Sequence, residues 1–369
     1  MKRVDELPFL NFLSPEFQAD PAPILGELRS HAPTLQTAIG GLVIDHGTVE
    51  ALLALDGADH VRRRKLGSRA FTPRAVERLR RAMRSLTEEL IDGFAGRGSC
   101  EFMAEFANHH PVQVICEMLG VPSGDHDDFA RWNDQITWVL SFELANRLDE
   151  VRQGFEGLSS YIDDLIVERS VQPRDDLLSA LILAEDGGDR LGPIELRSMI
   201  AGLLFAGYDT TRNQLGISLA LFAEYPEQWA RLAAEPELAS RVVEESLRFL
   251  GAIAVAPRMA AEDMEIAGYH IPKRTLVSLG TAAANHDPAV YEEPQMFDIS
   301  VEREPQLTFG GGPHYCLGAS LARAEMQEAL PIFARRMPDA KVGPDVAWRP
   351  RTGVFGPVTL PLSFTPKWD

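Results

Sequence analysis

Cysteine is scarce in this chain: Cys100, Cys116 and Cys316 are the only three among 369 residues. An odd, widely spaced set offers no disulfide framework, and without a Cys-x-x-Cys pair it offers no structural zinc site; a reducing cytoplasm is the expected setting. Long apolar runs are missing too. Met1-Lys2-Arg3-Val4-Asp5-Glu6-Leu7-Pro8 leads into no hydrophobic stretch, so neither a signal peptide nor a membrane anchor is expected. The most apolar segment, residues 199–207, is cut by Tyr208-Asp209-Thr210-Thr211-Arg212-Asn213 before it could span a bilayer. Positive charge is outnumbered, with 36 Lys and Arg against 54 Asp and Glu, and the net charge of −18 argues against nucleic acid as a general partner. Internal repeats, low-complexity tracts and Ser/Gly linkers are all lacking.

What remains is the composition of a globular protein with a sizeable core, 45% hydrophobic and 24% charged. Most segments carry helical periodicity. Pro21-Ala22-Pro23-Ile24-Leu25-Gly26-Glu27-Leu28-Arg29 reads as a first helix, with Ile24, Leu25 and Leu28 on one face. Thr72-Pro73 predicts a helix start, and further helices are predicted over residues 85–95, 105–119, 125–148, 150–170 and 175–184, with a long one after Gly192-Pro193. Strand signals are few: Met264-Glu265-Ile266, Leu276-Val277-Ser278-Leu279 and residues 358–364. The expected class is mainly α with a small β-sheet region.

One of the three cysteines has unusual surroundings. Phe309-Gly310-Gly311-Gly312-Pro313-His314-Tyr315-Cys316-Leu317-Gly318 places Cys316 between a glycine-rich loop and a strong helix former. Glycines let a backbone bend sharply and approach a flat macrocycle. A following helix start favours thiolate, so Cys316 reads as a ligand to heme iron. Upstream, Asp209-Thr210-Thr211 puts an acid and hydroxyls into an apolar helix, where a carboxylate is costly unless something uses it. Thr210 can bond back to the Ala206 carbonyl, and an interruption at Gly207 would open a groove. Glu245 and Arg248 stand at i and i+3 on one helix face. Between His60 and Arg84 lie Arg62, Arg63, Arg64, Lys65, Arg69, Arg74, Arg78, Arg80, Arg81 and Arg84 against Glu77 alone, either a solvated face or a docking face for an acidic partner.

The loop resembles the heme-binding segment of the cytochrome P450 superfamily, in which Phe, two residues, Gly, three residues, Cys, one residue and Gly follow one another; Phe309, Gly312, Cys316 and Gly318 fill those places. The resemblance runs from about residue 20 to 365 and implies a single P450-like heme domain over residues 1–369, with heme b as cofactor and Cys316 as its axial ligand. It implies that His60, Arg64, Arg258 and His314 meet the heme carboxylates, and that Asp209 and Thr210 line the oxygen pocket, the acid relaying protons and the alcohol steadying oxygen. Glu245 and Arg248 become a buried brace. A third arginine usually follows Phe-Asp; ungapped alignment puts Val301 there, with Arg303 two positions later. Asp175-Asp176-Leu177-Leu178 and Ala284-Asn285-His286-Asp287-Pro288 also follow the family. Ala206, Ile253, Val255 and Val354 would face substrate. The clearest departure is an abbreviated region at about residues 40–60, where members usually carry a longer substrate-covering segment.

By this resemblance the chain is expected to be a heme-thiolate monooxygenase that inserts one atom of dioxygen into a hydrophobic small molecule, commonly at a C-H bond. No flavin or iron-sulfur module is recognisable, so electrons are expected from a separate ferredoxin served by a NAD(P)H-dependent reductase. A peroxide-driven peroxygenase or a heme-binding sensor are the alternatives, and Asp209-Thr210 counts against both.

Overall fold

Capping chemistry sets the helix boundaries. Thr72 lies outside the helical region, its hydroxyl accepts from the Ala75 N-H at 3.2 Å, and Pro73 stands in the first turn of a 23-residue helix, Pro73–Ala95. The separate helix expected over 85–95 is the second half of this one. The Gly192 N-H donates to Glu195 at 3.0 Å where the 32-residue helix Pro193–Glu224 begins. Asp176 caps Leu177–Leu183 by accepting from the Ser179 N-H at 2.7 Å, and it also accepts from the buried Arg169 Nε at 2.7 Å. Arg169 donates as well to the carbonyl of Gly120, whose φ of 74° ends the helix His110–Leu119.

In this computed structural model the described residues are 2–3, 9–10, 14–19, 23–24, 34–37, 40–43, 57–68, 71–140, 147–184, 188, 190–351 and 353–367. They fall into two compact units. The larger comprises Gly57–Val243, Leu317–Trp348 and Gly356–Asp369; the smaller comprises Met1–Asp56, Glu244–Cys316 and Arg349–Phe355.

The larger unit is helical. Ala58–Ser68, His126–Ile136, Leu148–Val171, Pro226–Ala234 and Ala319–Arg336 join the helices already named. Phe102, Phe106 and Phe333 form a buried aromatic centre, the Phe106 and Phe333 rings meeting edge to face at 4.6 Å and His110 stacking on Phe106 at 5.1 Å. The smaller unit holds most of the sheet. Its five strands run in the order Phe9–Leu10, Thr34–Thr37, Gly40–Val43, Leu276–Leu279, Ala256–Met259. Gly41 faces Val277 across a parallel pair, and Arg258 faces Val277 across an antiparallel one. Met264–Ile266 and Tyr269–Ile271 make a hairpin through Ala267 and Gly268, both at positive φ (50° and 83°), the turn that suits strand twist.

Several expectations change. The helix predicted over 125–148 stops at Ile136 and tightens into a 3-10 turn, Thr137–Leu140. The one over 105–119 divides into a π turn, Met103–Ala107, and His110–Leu119. Pro193–Glu224 is unbroken at Gly207. A short helix, Pro15–Ala19, precedes the predicted first helix, of which only residues 23–24 are described. The abbreviated region contains Gly40–Val43 and the start of Ala58–Ser68, and its residues 44–56 lie outside the described ones.

His126–Ile136 and Leu148–Val171 approach closely because Leu148–Val171 carries glycines at the contact. A Cβ on Gly157 would fall 2.3 Å from Trp132 Nε1. Gly157→Val should therefore destabilise the fold by about 1–3 kcal/mol through overpacking, read as a lower urea midpoint. An unchanged midpoint would mean that Trp132 swings aside freely.

Candidate active site

The cysteine loop is built by two backbone conformations that favour glycine. Gly310 and Gly312 have φ of 70° and 60°. Gly311 and Gly318, at −153° and −85°, make no use of that freedom. The Gly310 N-H reaches the Leu307 carbonyl at 2.8 Å, and the Cys316 N-H closes the loop on the Phe309 carbonyl at 2.8 Å. Phe309 and Tyr315 meet edge to face at 6.5 Å. Cys316 is half-buried and forms no disulfide. The other two thiols are poor ligands: burial pushes Cys100 up to about 12, and burial raises Cys116 further still.

A dense set of bonds leads into this loop. Glu245 accepts from Arg248 Nε at 2.7 Å and Nη2 at 2.8 Å. Arg248 also donates to the carbonyls of Asn285 (3.1 Å), Pro294 (2.8 Å) and Met296 (2.9 Å). Those five bonds use every N-H a guanidinium has. Arg303 Nε lies 3.2 Å from Glu245, whereas Val301 is exposed, so Arg303 occupies the place of the third brace residue despite its two-position offset. Sequence reading gave Asn285 and Thr308 no role. Yet the Asn285 amide donates to Thr308 Oγ1 at 3.0 Å and accepts from the Leu307 N-H at 2.7 Å, and Thr308 donates to the Leu247 carbonyl at 2.7 Å. The Ala-Asn-His-Asp-Pro turn was the signal that could have pointed to them.

Within the smaller unit, His314 and Arg258 are half-buried, the first in the cysteine loop and the second on Ala256–Met259. Ile253 and Val354 pair as an antiparallel bridge; Val354 is buried and Val255 exposed. Within the larger unit, His60 and Arg64 stand one turn apart on Ala58–Ser68 and line a recess of about 470 Å³ with Arg63, Met199 and Leu317. That size is in the range of ligand sites. In the larger unit an apolar wall with cations beside it suits a flat hydrophobic group bearing carboxylates, and in the smaller unit a half-buried thiol in a glycine loop suits an iron ion. The residues present therefore suit heme.

Asp209 lies on Pro193–Glu224, 1% exposed, and is the centre of a network that sequence reading missed. It accepts from Thr137 Oγ1 at 2.7 Å, Asn213 Nδ2 at 3.1 Å and Arg212 Nη2 at 2.8 Å. Arg212 reaches Asp134 at 2.7 Å and the Tyr208 oxygen at 2.8 Å. Thr210 bonds back to the Ala206 carbonyl at 2.6 Å, as its position in the sequence suggested; Ala206 itself is exposed within this unit. Much of the basic cluster is paired with acids of the same unit. Arg62 and Arg63 pair with Glu195, Arg78 with Asp175, and Arg80 and Arg84 with Glu328. Arg74 and Arg81, two turns apart on Pro73–Ala95, are exposed, and Arg69 lies outside the described residues.

Comparison with known proteins agrees with this arrangement. Residues 44–336 match the sequence model of the family described as Cytochrome P450. The chain is 37% identical to luteothin monooxygenase of Streptomyces thioluteus over 97% of its own length and 96% of the relative's. It is 39% identical to mycinamicin IV hydroxylase/epoxidase of Micromonospora griseorubida over 84% of its length and 79% of the relative's. Among solved structures, cytochrome P450 CYP109Q5 from Chondromyces apiculatus superposes with a TM-score of 0.90 at 30% identity, covering 97% of this chain and 99% of that one. No helix among the described residues is long and apolar enough to cross a membrane.

The brace carries a measurable expectation. Arg248→Leu strands the Glu245 carboxylate in the interior and should cost about 3–5 kcal/mol, with heme loading falling alongside stability in chemical denaturation. Arg303→Leu, which leaves the bidentate pair intact, should cost clearly less; equal losses would mean that the two arginines share the load evenly.

Proposed function

The chain belongs to the cytochrome P450 family of heme b enzymes, and from that premise we propose that it oxidises a hydrophobic small molecule at a C-H bond with electrons from a separate ferredoxin. One atom of dioxygen enters the substrate's C-H bond and the other leaves as water. Two electrons and two protons balance that step, the electrons passing from NAD(P)H through a reductase and the ferredoxin. The reading rests on the cysteine loop, where Gly310, Gly312 and the Cys316-Phe309 bond hold one half-buried thiol that forms no disulfide.

Held by the Cys316 thiolate, heme would supply the redox chemistry that activates dioxygen. The protein's own residues do the rest, and we take residues 1–369 to act as one heme domain. Cys316 ligates the iron; His60, Arg64, Arg258 and His314 neutralise the two carboxylates, as cationic donors do best where water is excluded. Thr210, its proton committed to the Ala206 carbonyl, keeps its oxygen lone pairs available to accept from a water. Asp209 relays protons. Ala206, Ile253, Val255 and Val354 supply apolar contacts to substrate, in keeping with relatives named for luteothin and mycinamicin IV. Arg74 and Arg81 offer exposed positive charge to an acidic ferredoxin.

Carbon monoxide added to the dithionite-reduced protein should give the strongly red-shifted Soret band of thiolate ligation. Cys316→Ser should lose it, and a retained band would remove Cys316 from the iron. Thr210→Ala should bind substrate normally and keep consuming NADH while diverting much of the flow to hydrogen peroxide. Product, peroxide and NADH measured together check this, and unchanged coupling would leave Thr210 a purely structural hydroxyl.

A further inference from the structure

We propose that Glu325 is a neutral carboxylic acid in the folded protein, its proton turned toward His110, and that this proton keeps three helices of the larger unit clamped together as pH rises. Neither residue has a part in the oxidation chemistry. Glu325 lies on Ala319–Arg336 at 1% exposure, and His110, the first residue of His110–Leu119, is fully buried. Glu325 Oε2 faces His110 Nδ1 at 3.5 Å, and neither atom has a hydrogen-bond partner.

Thr87 fixes the tautomer of the ring. Its hydroxyl spends its one proton on the Met83 carbonyl at 2.8 Å, so toward His110 Nε2, 3.1 Å away, it can only accept. Nε2 therefore carries a hydrogen, and in a neutral imidazole Nδ1 is left as an acceptor. The alternative is an ion pair, with a second hydrogen on the ring and an ionised Glu325. It would place two charges in the core with too little to compensate them. Glu245, just as buried, shows what an ionised carboxylate needs there: two bonds from Arg248, one from the Asp298 N-H and a second arginine at 3.2 Å. Glu325 has only an imidazole at 3.5 Å. Burial accordingly pushes its carboxyl above the usual carboxylate range, with His110 opposing in part.

The series Glu325, His110, Thr87 and Met83 crosses from Ala319–Arg336 to His110–Leu119 and on to Pro73–Ala95. His110 stacks on Phe106, and Phe106 meets Phe333 edge to face, so the ring is held by aromatic packing on its other side. Pro73–Ala95, Pro193–Glu224 and Pro226–Ala234 also pack against Ala319–Arg336. Among the described residues His110 is the only charged or titratable group that acts on Glu325, and Thr87 is neutral. An acid held neutral by the fold favours folding at and below the ordinary carboxylate range, about pH 4.3. That advantage is lost as pH rises toward the raised value in the folded protein, beyond which the core holds a bare carboxylate and the clamp loosens.

Glutamine copies the shape and the donor of a neutral acid but cannot ionise. In urea unfolding of the heme-loaded protein between about pH 5 and 8, the folding constant of the wild type should fall against that of Glu325→Gln by about tenfold per pH unit, the signature of one proton. A ratio that stays constant would mean that Glu325 has no proton to lose, and would overturn the proposal. A second measurement needs no variant. His110 is the one fully buried histidine among the described residues, so slow solvent exchange of its ring N-H identifies it in nitrogen-15 histidine spectra of the diamagnetic ferrous carbonyl form. Its ring should be the neutral Nε2-H tautomer at neutral pH. A doubly protonated ring would establish the ion pair instead and sink the neutral acid.

Discussion

The smaller unit depends on one guanidinium. Arg248 spends all five of its N-H groups, two on Glu245 and three on peptide carbonyls of a stretch that has little regular secondary structure. Loops that lack a ladder still have carbonyls to satisfy, and an interior arginine with its own counterion meets three of them at once. The arrangement is costly unless complete, because an ion pair out of water is favourable only when its remaining donors and acceptors are also bonded. Here they are: Asp298 donates its N-H to Glu245 at 3.1 Å, and Arg303 adds a second positive charge. From Asn285 the same bonding continues through Thr308 and Leu307 to the start of the cysteine loop.

The larger unit meets a similar problem with a different outcome. Asp209, Arg212 and Asp134 form an odd-numbered set, two carboxylates to one guanidinium, with one carboxylate in the interior and one facing water. In this set one guanidinium is shared by two carboxylates, whereas in the brace two arginines share Glu245. The two clusters differ in charge count and in burial, since Asp134 faces water while Glu245 and Arg248 both lie in the interior. The neighbouring basic helices show a third use of charge. Glu195 and Glu328 each gather two arginines, and these exposed or half-exposed pairs contribute little individually.

Much of this was readable in the residues. Thr72-Pro73 and Gly192-Pro193 marked helix starts because capping is local chemistry, settled within a few residues of sequence. The spacing around Cys316, the i and i+3 pair at Glu245 and Arg248, the Thr210 back-bond and the mainly helical class with its small sheet were equally local. What needed the tertiary structure was every partnership made across long distances in the chain. Nothing in the sequence ties Thr137 to Asp209, Asn285 to Thr308 or Glu195 to Arg62, because each pair is brought together by packing. Arg303 reaches Glu245 although alignment pointed to Val301, since a side chain as long as arginine's spans a two-residue offset that position counting cannot see. Gly207, which composition marked as a break, lies in a continuous helix, because an unbroken run of backbone bonds outweighs about 1 kcal/mol of unfavourable propensity. The sequence by itself determined which chemical groups this protein has and where its local elements start; the tertiary structure decided which charges share a counterion, because that depends on distances set by the packing of elements far apart in the chain.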